Sequence, residues 1–202
     1  MTESGVGEGP ILNILGDLVA LGPLRGDLLP AYQRWINDFA TLRTLAAVPR
    51  PMTLEQEQSW YDHAAAGGPD MAYFTIYERA TLRPIGNTEL HHIDFRNRSA
   101  EFGILIGEPD ARGKGYGTEA TRLVLDYAFV ALGLHNVMLT TYEFNLAAQR
   151  TYAKAGFTVI GRRRQSRLMG GKLWDEIFMD CLATEFQSPV LAKVFVPDQP
   201  RG

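Results

Sequence analysis

Residues 112–118 read Arg-Gly-Lys-Gly-Tyr-Gly-Thr, and they follow a short apolar run, Phe102 to Ile106, that Pro109 stops. Apolar or aromatic residues then recur at 120, 123, 124, 127, 128 and 131, the spacing of one helix face. Strand, glycine turn and helix N-terminus together make an anion-binding device. Glycine lets the backbone approach closely with its N–H groups pointing inward, and the helix dipole favours the negative charge. The ligand this implies is a phosphate. The stretch lacks the four-residue gap and Gly-Lys-Ser/Thr ending of a kinase-type loop, and its glycines at 113, 115 and 117 miss the dinucleotide register. Taken alone, a ligand-free glycine turn is the competing reading.

A second group lies at 145–157, Asn-Leu-Ala-Ala-Gln-Arg-Thr-Tyr-Ala-Lys-Ala-Gly-Phe. Asn145 and Tyr152 are seven residues apart, about two helical turns or roughly 10 Å along the axis, so they share a face. Helical side chains lean toward the N-terminus, which points the Tyr152 phenol back toward the end that Asn145 caps. Both can reach one extended ligand. The plain alternatives are a core aromatic for Tyr152 and a helix cap for Asn145.

These residues need a scaffold. Residues 11–24 carry two apolar patches around Gly16-Asp17, a short hairpin or a strand with a lead-in. The spacing of Leu28, Leu29, Tyr32, Trp35, Ile36 and Phe39 predicts a helical region over 27–45, broken by Pro49-Arg50-Pro51. Thr53 and Gln56 form a capping box for a helix to about Ala66, which Gly67-Gly68-Pro69 ends. Strands are expected at 71–78, 84–94 and 100–107, then the glycine-loop helix with Gly133 as its C-cap. A strand follows at 137–142, a helix from the Asn145 cap to Ala155, and strands at 157–161 and 173–182, with Arg162-Arg163-Arg164 and Gly170-Gly171 between them. The fold class is therefore α/β (α+β): a mixed, mostly antiparallel sheet with one parallel pair, flanked by helices. The expected organisation is a flexible leader at 1–10, a single domain at 11–186 and a tail at 187–202.

At 202 residues the chain is long enough for one domain with a full core, and 46% hydrophobic and 21% charged residues are ordinary globular values. A net charge of −3 argues against a nucleic-acid surface. No apolar run reaches the roughly 20 residues of a membrane span, and the acidic, glycine-rich start is not a targeting peptide. The chain reads as cytoplasmic. Its one cysteine, Cys181, reads as inert core.

Arg112, Gly115 and Gly117 match the pyrophosphate loop Arg/Gln-x-x-Gly-x-Gly/Ala of the GNAT acetyltransferases. Residues 145–157 resemble the same superfamily's Asn-x-x-Ala/Ser-x-x-x-Tyr-x-Lys-x-Gly-Phe signature, and the element order is similar too. The resemblance is strongest from Ile85 to Leu182. It leans to the RimJ/RimL-type branch, which includes bacterial spermidine N-acetyltransferase, through Ile85-Gly86, Glu89-Leu90, Asn97-Arg98, Glu101-Phe102, Asp126 to Phe129 and Gly170 to Asp175.

The resemblance implies acetyl-CoA as cosubstrate, a ternary complex, direct attack of an amine on the thioester, and no metal. It places the CoA pyrophosphate on Gly113, Lys114, Gly115, Tyr116, Gly117 and Thr118. Arg112 and Lys114 add charge or are simply solvated. The sheet is expected to splay beside Leu105 and Ile106, whose backbone would bind the pantetheine arm as an added strand, with Asn145 and Ala148 nearby. Tyr152 would protonate the departing thiolate, a phenol near 10 facing a thiol near 8.5. Glu101 is the candidate base. Glu89, His91 or a relayed water are alternatives, and Glu101 can equally be a substrate-binding carboxylate. His91-His92 reads as an ordinary strand surface pair.

The acceptor is expected to be a small amine, an amino sugar or an amine-bearing antibiotic. A polyamine is disfavoured, because the helical region at 27–48 has only Asp27 and Asp38. The run at 162–164 with Arg167 is a solvated hairpin or a site for an acidic group. A protein N-terminus as acceptor, and an acyl-CoA-binding module without turnover, are the alternative functions. Apolar residues on both faces of the last strand, Trp174 and Phe178 against Ile177, Met179 and Cys181, lead to the expectation of a homodimer.

Overall fold

The computed structural model describes residues 9–45 and 49–198, so the expected leader lies, up to residue 8, outside the described residues. Eight strands form one open sheet, in which the last two strands of the chain exchange places and the other six follow sequence order. The patches around Gly16-Asp17 make a hairpin, β1 (Ile14–Leu15) and β2 (Val19–Gly22). The central strands are β3 (Ala72–Glu78), β4 (Pro84–Asp94) and β5 (Ser99–Ile106), antiparallel to one another. β6 (Asn136–Tyr142) runs parallel to β5, and β7 (Thr158–Met169) and β8 (Lys172–Leu182) complete the sheet.

Two predicted elements are corrected. The helical region over 27–45 is a 3-10 turn at 26–28 followed by α1 (Leu29–Ile36) and α2 (Phe39–Leu42). It breaks because Asp38 is extended and its carboxylate accepts the Ala40 N–H, which starts a new helix. The arginine run, expected between two strands, lies within β7, in the solvent-exposed β7–β8 hairpin, where the register shifts between Arg163 and Arg167. Arg162 faces Glu143 and Asp175, and Arg163 pairs with Glu176 across the ladder, so opposite charges hold a polar edge strand in register.

Helix α3 (Leu54–Ala66) starts at the Thr53–Gln56 capping box. With α1 it covers the sheet face of Tyr73 and Thr75: Tyr32 hydrogen-bonds Thr75, and Trp60 packs edge-on between Tyr32 and Tyr73. The opposite face, with Phe74, Ile76 and Phe102, packs under α4 (Tyr116–Asp126) and α5 (Leu146–Ala155). Ala120, Leu123, Val124 and Ala128 are fully buried there, as the periodicity predicts. The helix continues past α4 as a π-helical turn, 127–131, before Gly133. Asp126, itself buried, accepts the Val190 and Leu191 N–H groups and ties the 183–195 stretch down beside it.

Candidate active site

The parallel pair joins only Ser99–Asn136, Ala100–Val137 and Glu101–Met138. Beyond Glu101, no ladder connects β5 to β6. A cavity of about 650 Å³ lies at this parting. It reaches Glu101 and Gly103 from one face of β5, Phe102 and Ile104 from the other, and Thr140 and Thr141 of β6. Alternation along β5 makes this possible only where the sheet opens. The splay expected beside Leu105 and Ile106 is therefore present.

On the α5 side the cavity meets Tyr152. Its ring packs against Phe102 and Phe157, with centroids 6.2 and 6.0 Å away. Burial pushes the phenol up to about 12. The proton is therefore held at neutral pH.

The α1/α3 side carries the carboxylates. Glu101 stands opposite His91 across the β4–β5 ladder, and Glu89 opposite Gly103. A Cβ at Gly103 would lie 2.7 Å from the Glu89 carboxylate, so glycine is what leaves that carboxylate room. Burial pushes Glu89 up, against the opposing pull of His91 and the Tyr73 hydroxyl. The sequence reading missed Glu57. It lies on the inward stripe of α3 with Trp60 and Ala64, is 5% exposed, and faces the same cavity. Burial alone raises it to about 6. A carboxylate in step with Trp60 and Ala64 was the available signal. The cavity draws its carboxylates from α3, β4 and β5 and not from residues 27–48, where the sequence reading sought them. His91 is likewise no plain surface residue, because it lines the cavity between Glu89 and Glu101.

The glycine loop follows the end of β5, whose Leu105 lines this cavity. Gly113 and Gly115 have φ of 74° and 88°, the left-handed region that favours glycine, and Gly115 is the N-cap of α4. No side chain caps this helix, so the first-turn N–H groups of Tyr116, Gly117 and Thr118 are free for an anion. Gly117 sits against Ile106 and Thr151, with room for a Cβ at 3.7 Å. The loop is held from outside: Tyr116 donates to Glu78, and Glu119 accepts the N–H groups of Asp17, Leu18 and Val19.

Arg112 is not a solvated loop cation. Its guanidinium turns back to the Ile106 carbonyl (3.1 Å), the Gly107 carbonyl and Thr41. It braces the loop, and it occupies the Ile106 carbonyl that the sequence reading left free for a ligand. Leu105 lines the cavity. Asn145 caps α5 by accepting the Ala148 N–H at 3.2 Å, and neither residue lies on the cavity wall.

Residues 19–158 match the acetyltransferase (GNAT) domain family. The spermidine N(1)-acetyltransferase of Escherichia coli (strain K12) is 36% identical over 114 residues, covering 56% of this chain and 59% of the relative. The human alpha/beta-tubulin-N-acetyltransferase 9 is 29% identical over 160 residues, covering 71% and 74%. The chain thus spans less than two thirds of the bacterial relative's length. Among solved structures, the Vibrio cholerae spermidine N-acetyltransferase in complex with CoA and spermine superposes with a TM-score of 0.77 at 25% identity, covering 84% of this chain and 98% of that one.

Proposed function

Because the chain belongs to the GNAT acetyltransferase family, we propose that it moves an acetyl group from acetyl-CoA to a primary amine of a small cationic acceptor, in a ternary complex and without a covalent enzyme intermediate. One observation carries this reading: a single cavity at the β5–β6 parting meets a protonated phenol on one side and three carboxylates on the other.

The CoA pyrophosphate lies on the N–H groups from Gly113 to Thr118 at the positive end of α4. The pantetheine arm runs beside Leu105 into the parting. Glu57, Glu89 and Glu101 hold the ammonium groups of the acceptor. One carboxylate, with Glu101 as first candidate, takes a proton from the attacking ammonium directly or through His91 or water, and the nitrogen gives up its second proton to water as the amide forms. The nitrogen adds to the thioester carbon, the C–S bond breaks, and the thiolate takes the Tyr152 proton, which solvent restores. A polyamine of the kind named for the E. coli and V. cholerae relatives fits an acidic cavity of this kind.

The RimJ/RimL-type assignment, a cytoplasmic location and a homodimer belong to this proposal. No described helix is long and apolar enough to cross a membrane. The exposed Val159, Ile160, Leu168 and Leu173 along β7 and β8 offer the apolar surface for pairing. The domain limits 11–186 are proposed with them. Thiol release from acetyl-CoA over a panel of polyamines, amino sugars and peptide N-termini tests the reading. Release only with peptides would replace the acceptor class, and binding without release from any amine would make the chain a non-catalytic module.

A further inference from the structure

We propose that His91, His92 and Glu101 form a divalent-cation site of the zinc class at the edge of the acceptor cavity, which His91 and Glu101 line. The backbone builds this group. The β4–β5 register runs from His91 opposite Glu101 to Asp94 opposite Ser99, three steps on β4 against two on β5. At this bulge His92 is left-handed, with φ of 51°. A regular strand would send consecutive side chains to opposite faces, whereas a bulge re-aims one of them. Here it turns both imidazoles to one carboxylate. His91 Nε2 lies 3.3 Å from Glu101 Oε2, and His92 Nδ1 lies 3.3 Å from Glu101 Oε1.

These distances suit a metal. Tetrahedral zinc with bonds of about 2.0–2.1 Å sets its donors roughly 3.3–3.4 Å apart. All three donor atoms lie within 4.8 Å of one another, and the widest separation can close by rotation of His92, whose side chain is 72% exposed. Behind the group, His91 Nδ1 is buried without a hydrogen-bond partner, 3.6 Å from Glu89 Oε1. A carboxylate behind a metal-bound imidazole fixes its tautomer and raises its basicity. Two imidazoles and one carboxylate select zinc, nickel or copper over magnesium or calcium. The consequence for turnover rests on the acceptor reading above: a cation on Glu101 displaces the ammonium, so zinc inhibits in competition with the amine.

The test is calorimetric titration of zinc chloride into the chelator-treated full chain. One zinc per chain is expected. Affinity should fall about tenfold or more in His92→Asn, whose residue tolerates the left-handed backbone. His92→Gly, also free of backbone strain, gives the same loss, and exchange of His63 and His135 for Gln gives none. Both His92 variants keep basal acetyl transfer and lose zinc inhibition. Absence of stoichiometric binding, or unchanged affinity in both His92 variants, overturns the site. Zinc binding without competitive inhibition would fault the acceptor reading and leave the metal site standing.

Discussion

Glu57→Gln should make the protein more stable above pH 6 while weakening its hold on the acceptor. Glu57 is 5% exposed, has no hydrogen-bonded side-chain partner, and is raised from 4.5 to about 6 by burial. The sign follows from proton counts. Between pH 4.5 and about 6 the folded chain holds a proton that the unfolded chain has lost, so stability falls as pH rises through this window. A shift of 1.5 units is about 2 kcal/mol, and solvent screening from the open side of the cavity brings this to about 1–2 kcal/mol. Glutamine removes the charge at every pH. The variant should match the parent near pH 4.5 and exceed it by that amount at pH 8, or about 2–8 °C in Tm for a domain of this size. Urea melts of both proteins at the two pH values measure this directly. With a saturating diamine at pH 8 the parent gains more than the variant, because an ammonium compensates the carboxylate. An equal difference at both pH values, or a less stable variant at pH 8, would refute the placement of an unpaired buried carboxylate.

Tyr152→Phe keeps the ring contacts with Phe102 and Phe157 and should lower kcat by about 10²–10⁴-fold with little change in acetyl-CoA affinity. Activity within about threefold of the parent would retire the acid role. Gly117→Glu has space for its Cβ, so the fold survives, but its carboxylate enters the phosphate seat, and calorimetry should find acetyl-CoA binding abolished. Gly115→Asp would do the same, with added backbone strain at φ of 88°. Light scattering at micromolar concentration should give a dimer mass, lowered to the monomer by charges at Val159 and Ile160.

The chemistry was legible where local rules dominate. Gly113 and Gly115 need a left-handed backbone, the Thr53–Gln56 box closes as its residues require, and the stripe from Ala120 to Ala128 is buried as its period demands. What escaped the sequence depends on long-range partners. The arginines at 162–164 belong to a strand because β7 ladders onto β8, with acidic partners for Arg162 and Arg163 at Glu143, Asp175 and Glu176. Asp38 restarts a helix inside a continuous apolar rhythm, which periodicity alone does not reveal. Arg112 reaches the Ile106 and Gly107 carbonyls and Thr41 because α2 and the end of β5 meet around it. Glu57 was hidden because a search for apolar spacing passes over a carboxylate on the inward stripe.

The central claim is that the β5–β6 parting joins acetyl-CoA to a cationic amine, and amine-dependent thiol release measures it most directly. With spermidine-class polyamines the parent should release free thiol from acetyl-CoA in proportion to monoacetylated product, and the rate should fall together in Tyr152→Phe and Gly117→Glu. Thiol release that needs no amine, or full binding of acetyl-CoA with no release from any polyamine, amino sugar or peptide, would contradict the account.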